Sequence, residues 1–491
     1  MQSLCKNTLT AISVSIALSA CNLAPKYQQP EIDLPSAQFR YDLQNNQAIQ
    51  AASLGWQNYF ADPRLQQLID LAIKNNTDLR IANLNAEQVR AQYAITRAAQ
   101  LPGVSATGGA NRSGNERQGV GESYNVGLGI SAFELDLWGR VRNNSEAALQ
   151  NYLATAAGRD ATHLSLIASV AKAHFNEIYA QNAMELANNV LKTREETYRL
   201  AKLRHNAGVT SAIDLHQQQA LIEQAKASYA AAIKNREQAR NALTLLISQK
   251  LPENLPEPLP LSQQFAIRNL PAGLSADLLL NRPDIIAAEH NLKAANANIG
   301  AARAAFFPRI SLTSSIGLGS TELHHLFTSK DTKTWSVGGG LNLPIFDWGA
   351  NSANLEAAKI AQQKALVAYE SAVESAFRDV SDALVARAAF NSQYESNLAQ
   401  SKAHHETLRL TRLRYKHGIS SSLDLLDAER SSYSADLNTL STELSLAENL
   451  ADLYKVLGGG LKRLSKDDVV IQQQVQEIQN LEKENIKKIN E

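Results

Sequence analysis

The chain has 491 residues, 48 basic and 48 acidic side chains and hence no formal net charge, with 44% hydrophobic and 6% aromatic residues. Zero net charge removes the field that nucleic-acid binders use, so no nucleic-acid partner is expected. Two cysteines cannot build a four-thiolate zinc site or a disulfide scaffold, and no apolar run is long enough for a conventional membrane helix, although β-barrel strands leave only a faint hydropathy trace.

Residues 1–20 read as a signal peptide. Lys6 is the positive start, Leu9 to Leu18 an apolar core too short to span a bilayer, and Leu18-Ser19-Ala20-Cys21 follows. The small residues before Cys21 resemble a bacterial lipobox, which implies cleavage there and a covalent lipid on Cys21. Cleavage removes Cys5, so the mature chain has no internal disulfide.

Next comes an anchored segment over 21–63, then a first repeat over 64–250. That repeat has a helical stretch from about Arg64 to Gln100, two strands predicted over 104–115 and 123–136, and a long helical hairpin. The proline-rich LPENLPEPLP at 251–260 opens a linker over 251–275. The second repeat, 276–461, has a helix to about Phe306, strands predicted over 309–323 and 334–347, and another long hairpin. Residues 462–491 form a polar tail.

The halves are a duplication. LRHNAGVTSAIDL from Leu203 and LRYKHGISSSLDL from Leu413 align Arg204 with Arg414, Gly208 with Gly418 and Asp214 with Asp424. Trp138-Gly139 recurs as Trp348-Gly349, Leu101-Pro102 as Phe307-Pro308, and Asp78 as Asp284. The unit is roughly 200 residues, far beyond solenoid periods.

All four strands alternate. Tyr124, Val126, Leu128 and Ile130 interleave with Asn125, Gly127, Gly129 and Ser131, and Trp335, Val337, Gly339 and Leu341 with Ser336, Gly338, Gly340 and Asn342. Each strand thus has one apolar face and one face of Gly, Ser, Thr or Asn, which leaves space instead of filling a core. Four strands cannot close a wide barrel, and an open sheet leaves unpaired edges. Several chains contributing four strands each would solve this; a soluble sandwich with one wet face is the alternative. Between Gly349 and Gly418 there is no proline or glycine, enough helix to extend roughly 100 Å. Its apolar seam, Tyr369, Val373, Phe377, Val380, Leu384 and Ala388, suits antiparallel coiled coil. In the first copy the seam is Leu164, Ile167, Ala171, His174 or Phe175, and Ile178.

No HExxH, GxSxG or Walker sequence is present, and no enzyme is expected. Gly127 to Ala132 formally matches a dinucleotide fingerprint but lies inside an alternating strand. The pairs His324-His325 and His404-His405 are adjacent, which turns their side chains apart on strand or helix, so no metal site is expected. Asp424 and Asp427 are three apart on one helical face. Near a helix start, carboxylates serve as caps. If chains surround an axis, however, each becomes a ring that attracts cations, with Leu423 an apolar constriction beside it.

The lipobox, Trp138-Gly139, Phe346-Asp347-Trp348-Gly349, the two helix breaks, Leu425-Leu426-Asp427-Ala428 and Leu457-Gly458-Gly459-Gly460 together resemble the TolC-type outer-membrane factor family. The likeness covers residues 15 to 461 and points to the lipoprotein branch of tripartite RND multidrug efflux systems. It implies an α+β fold, a homotrimeric 12-stranded barrel with four strands per chain, continuing into a helical coiled-coil barrel in the periplasm. It places Leu423, Asp424 and Asp427 at a periplasmic gate, with Arg430 near those carboxylates, Asp214 on the other inner helix pair and Tyr415 holding the tip closed. Several relatives carry an arginine where this chain has Ser420, so one latch is missing. Gly208-Val209-Thr210 and Gly418-Ile419-Ser420 match turns that meet a periplasmic adaptor protein. Asn22, not aspartate, suits outer-membrane sorting. The implied function is a passive exit duct for drugs and other toxic compounds, driven by an inner-membrane RND transporter. No cofactor is implied beyond the Cys21 lipid, which sits in outer-membrane lipid. A type I protein-secretion duct and a non-channel periplasmic lipoprotein scaffold are the alternatives.

Overall fold

The structure, a computed structural model, describes residues 22–30, 55–115, 119–267, 281–328 and 331–459. Its main elements are α1 (Pro63–Asn75), α2 (Thr77–Ala98), β1 (Val104–Asn115), β2 (Gly119–Leu135), α3 (Arg140–Asn206) and α4 (Ala212–Ile247). They continue with α5 (Pro283–Ala304), β3 (Arg309–Ser320), β4 (Lys333–Asn342), α6 (Ala350–Lys416) and α7 (Ser422–Val456). The chain forms two compact units, one within Met1–Ile32, Leu84–Ala157 and Ile286–Ala372, the other within Asp33–Asn83, Gly158–Ile285 and Val373–Glu491.

The first unit holds an antiparallel sheet in the order β1-β2-β3-β4. Its register aligns the four alternations. Ala106 faces Leu128, Leu128 faces Ile316, and Ile316 faces Trp335, while Thr107 faces Gly127, Gly127 faces Gly317 and Gly317 faces Thr334. One face of the sheet is therefore apolar and the other small and polar. Leu128, Ile316, Trp335, Val337 and Leu341 are all exposed on the single chain. A bulge between Ile130 and Phe133 places two residues, Ser131 and Ala132, against one. It resets the phase so that Phe133 and Leu135 join the apolar face opposite Leu312 and Ile310.

Strand ends are tied to helix starts by Asp136, two residues before Trp138-Gly139, and by Asp347, directly before the duplicate Trp348-Gly349. Asp136 accepts from the Val141 and Arg142 amides at 3.0 and 2.8 Å, and Asp347 from those of Gly349 and Asn351 at 3.0 and 2.9 Å, so each carboxylate caps a helix start. The two tryptophans then diverge. Trp138 stacks on Phe307 at 4.6 Å and donates its indole N–H to the Pro308 carbonyl at 3.0 Å. Trp348 has a φ of +57° and is 89% exposed, with Phe346 against it. Residues 22–30 lie along α5, where Arg303 donates to the Leu23 carbonyl, Asn296 to that of Pro25, and Tyr27 to Glu289.

In the second unit the aromatic core of Tyr59, Phe60, Phe175, Phe265 and Tyr454 is built from α3, α7 and two short segments, with Tyr59 stacked on Tyr454 at 4.7 Å. Those segments meet at the Phe60–Phe265 bridge. Asp62, fully buried, ties them to α3. It caps α1 through the Arg64 amide (2.8 Å) and accepts from Leu259 N–H (3.1 Å) and Gln264 Nε2 (2.9 Å), with His174 Nε2 at 3.0 Å. Burial pushes its carboxyl up, but His174 and these donors outweigh burial and hold it below the usual carboxylate range. Glu177 sits beside it, 3.2 Å from Arg64.

Several sequence boundaries shift. The helical stretch from Arg64 to Gln100 is two helices, because Asn76 leaves helical geometry to cap α2 at the Leu79 amide and donates to the Leu246 carbonyl. The strand read as starting at 123 begins at Gly119, since pairing with β1 extends past the apolar alternation. The strand over 309–323 ends at Ser320, before a 3₁₀ turn over Leu323–His325. That over 334–347 starts at Lys333 and stops at Asn342; Pro344 just beyond has no N–H to pair. In α6 the seam uses Ala376 and Arg387, both buried, in place of the half-buried Phe377 and exposed Ala388. The first-copy seam is buried throughout. The signal peptide, Cys21, linker residues 268–275 and the tail from 462 lie outside the described residues. No helix among the described residues is long and apolar enough to cross a membrane.

Gly127 and Gly317 face one another across β2 and β3, and a Cβ on Gly317 would fall onto the Val126 carbonyl. Gly317→Val should cost upward of about 1–3 kcal/mol and abolish oligomers that survive unheated SDS gels. Gly108→Ala, whose Cβ would lie 3.9 Å from the nearest strand atom, should leave them intact.

Candidate functional site

Both long hairpins turn the same way. Gly208 and Gly418 have φ of +75° and +73°, a conformation glycine adopts freely. The amides of Val209 and Ile419 return to the carbonyls of Arg204 and Arg414, each at 2.9 Å, which closes the helix ends. Ser211 and Ser421 then cap α4 and α7 by accepting from the Asp214 and Asp424 amides, at 3.2 and 3.1 Å. At Ser421 the box is complete: its own N–H donates to Asp424 Oδ2 at 2.9 Å. At Ser211 the hydroxyl lies 3.1 Å from Asp214 Oδ2. Asp214 and Asp424 thus occupy the same place in the two repeats. The Ser421 N–H, with its hydroxyl, holds the Asp424 carboxyl below the usual range, so it is anionic at neutral pH.

The other residues singled out from sequence fall around these turns. Asp427 pairs with Arg430 one helical turn on, at 2.8 Å, both exposed. Leu423 is 72% exposed. Leu423, Asp427 and Arg430 line one cleft of about 380 Å³, with Val190, Leu221 and Tyr433 among its other walls. Tyr415 lies under the Arg204 guanidinium, 5.3 Å from its ring centroid, a cation–π contact from α3 to α6. Val209 and Ile419 are exposed at the turns with Gly208 and Gly418, while Thr210 and Ser420 are half-buried. Asp214 and Asp424 are therefore held by their own turns and Tyr415 by Arg204 of the other hairpin, whereas Leu423 and the Asp427–Arg430 pair are exposed.

Sequence reasoning missed the centre of this region. Glu429, 9% exposed, sits 2.6 Å from Arg194 of α3 and 3.4 Å from Arg412 of α6. The Arg194 contact is short but off-line for a hydrogen bond, so the attraction there is mainly Coulombic. Glu429 joins α3, α6 and α7 just behind the tip. A glutamate followed at once by Arg430 reads as an exposed helix charge, and its partner Arg194 lies in the other repeat. Aligning the repeats would not have found this pair, since it is heterologous. Gly127 to Ala132, the formal dinucleotide match, lies within β2 and is paired to β1 or β3 over 127–130.

A family model described as Outer membrane efflux protein matches residues 68–249 and 274–459. The probable efflux pump outer membrane protein TtgC of Pseudomonas putida is 41% identical, covering 93% of this chain and 96% of its own length. The cation efflux system protein CusC of Escherichia coli is 38% identical, covering 92% and 99%. Among solved structures, the open state of the Neisseria gonorrhoeae MtrE outer membrane channel superposes with a TM-score of 0.84 at 56% identity, covering 90% of this chain and 99% of that one.

Glu429→Gln removes the charge that Arg194 and Arg412 face inside the second unit. Breaking a buried pair costs about 3–5 kcal/mol. The variant should unfold at lower temperature than wild type and show longer open times in planar bilayers, and Arg194→Gln added to it should cost much less than it does alone.

Proposed function

Since the chain belongs to the outer membrane efflux protein family, we propose that it is the passive exit duct of a tripartite RND system for drugs and other toxic compounds. It is an outer-membrane efflux channel, with the sheet in the outer membrane and the helical part in the periplasm. The observation that carries the reading is the register of the sheet, which collects the apolar positions of four strands on one face and Gly, Ser, Thr and Asn on the other. That is the division a lipid-facing wall and a wet lumen need. Deleting the gene should raise dye accumulation and susceptibility to several compound classes; no change in any of them would defeat the efflux reading.

The chain works as a homotrimer, and its own repeat supports this. Inside one chain the β2 end meets the start of β3, where Trp138 is bound to Phe307-Pro308. The duplicate of Trp138 is the exposed Trp348, between β4 and α6, and the duplicate of Phe307-Pro308 is Leu101-Pro102 before β1, where Leu101 is also exposed. Pairing β4 of one copy with β1 of the next repeats the internal contact between chains, and three copies close the ring. Bulk is also left for the interface: Ile345 and Phe346 beside Trp348 suit a membrane–water boundary.

On this reading Leu423, Asp424 and Asp427 narrow the periplasmic end, with Arg430, Asp214 and Tyr415 holding it. A capped carboxylate keeps its charge, so the capping of Asp424 and its place in a ring are compatible. The turns at Gly208, Val209 and Thr210 and at Gly418, Ile419 and Ser420 receive a periplasmic adaptor, which opens the tip by binding the open form more tightly. No bond is made or broken by the chain. Asp424→Ala with Asp427→Ala should raise single-channel conductance and weaken cation preference; unchanged conductance would remove both from the gate.

The anchor reading is supported by the path of residues 22–30, since Leu23 is held by Arg303 at the sheet-proximal end of α5. The described segment thus begins, at Asn22, on the sheet side of α5, the side that a lipid on Cys21 has to reach. Cys21→Ser should abolish metabolic labelling with a palmitate analogue, and retained label would overturn the assignment.

A further inference from the structure

The loop between β3 and β4 carries two imidazoles and a carboxylate that converge. Sequence adjacency suggests that His324 and His325 point apart, and the structure corrects this. The pair sits in the 3₁₀ turn over Leu323–His325, and the ring centroids are 3.8 Å apart with planes inclined by 53°. Glu322 is the residue before the turn. Its Oε2 lies 3.5 Å from His324 Nδ1 and 3.6 Å from His325 Nδ1. One ligand atom from each of the three residues falls within 4.8 Å of the others. By contrast His405 is turned to Asp436 on α7, at 2.9 Å.

We propose that Glu322, His324 and His325 form a zinc site on this loop. The spacing supports the choice of metal. Zinc bonds of about 2.0–2.1 Å in a tetrahedron put neighbouring ligand atoms about 3.4 Å apart, close to both distances from Glu322. The donor set, two neutral imidazoles and one carboxylate, suits zinc and excludes the hard ions magnesium and calcium as preferred occupants. Three protein ligands leave the fourth position to water.

The turn is also built to hold the ligands still. Glu322 N–H donates to Ser320 Oγ at 3.1 Å, the His325 amide returns to the Glu322 carbonyl at 3.2 Å, and Thr328 Oγ1 donates to the His324 carbonyl at 2.7 Å. Leu326, next after the histidines, is buried and pins the turn to the fold. Across the loop the Gly319 amide donates to the Thr332 carbonyl at 2.7 Å. The three side chains themselves are exposed, so an ion can enter without rearrangement.

The test uses the full chain, purified in detergent without a histidine tag and stripped with a chelator. Titration with zinc against a chromophoric competitor should show one ion per protomer, and magnesium at the same concentration should not displace it. X-ray absorption of the loaded protein should show imidazole scattering from two ligands. His324→Ala with His325→Ala should weaken binding at least about tenfold, and Glu322→Gln should weaken it as well, both with unchanged oligomer size. Should the double variant fail to assemble, Glu322→Gln decides alone. Wild-type protein that takes up no zinc at micromolar concentration, or variants that bind it as tightly as wild type, would overturn the site.

Discussion

A sheet of four antiparallel strands leaves a row of N–H and C=O groups along β1 and another along β4, and among the described residues neither row has a partner strand. In water such edges are a liability, and in hydrocarbon each unpaired group costs several kcal/mol. The apolar face presents the same difficulty, because Leu128, Ile316, Trp335 and Leu341 remain exposed on the single chain beyond what their cross-strand neighbours cover. Both are met at once if further copies continue the sheet and lipid covers its outside. Much of the remaining sequence follows from this. Gly, Ser and Thr on the second face leave an open interior, and Gly127 and Gly317 let β2 and β3 approach where any Cβ would collide with backbone.

Duplication supplies economy as well as symmetry. An aspartate just before each Trp-Gly pair caps α3 and α6, and the same Gly-x-x-Ser turn reverses both long helices. Where the copies differ, the difference has a physical use. Trp138 is satisfied inside its own chain, while Trp348 is left exposed. Asp62 has no counterpart in the repeat alignment. Its four partners join α1, α3 and the segment around Leu259 to Gln264 in a single buried knot, and the charge it carries is held in place by donors on every side.

At the helix tips, Asp214 and Asp424 could be selected by reading along the chain, since each lies six residues after a glycine break; Asp427 follows Asp424 on the same helical face, and Arg430 and Tyr415 are marked by the family resemblance. Alignment between the repeats marks the Asp214–Asp424 pair. Glu429 could not be selected in this way. Nothing in its neighbourhood distinguishes it from a solvated helix charge, and only the packing of α7 against α3 and α6 brings Arg194 and Arg412 to it. The histidines at 324 and 325 fail for a related reason. Rules for strands and helices turn adjacent side chains apart, but a short 3₁₀ turn obeys neither, and Glu322 converges with both rings.

The linear order of residues therefore determined the repeat, the four alternating strands, the glycine-marked turns and the cap residues, because periodicity and capping are local and leave their mark within a few positions. Tertiary structure decided the sheet register, the bulge at Ser131-Ala132, the break at Asn76 and the choice of Ala376 and Arg387 for the helix seam. It also decided which charges are buried together, as at Asp62 with His174 and Glu429 with Arg194. The pairing of β2 with β3, Asn76 with Leu246, Asp62 with His174 and Glu429 with Arg194 all join residues more than 100 positions apart, and no local pattern encodes a partner at that distance.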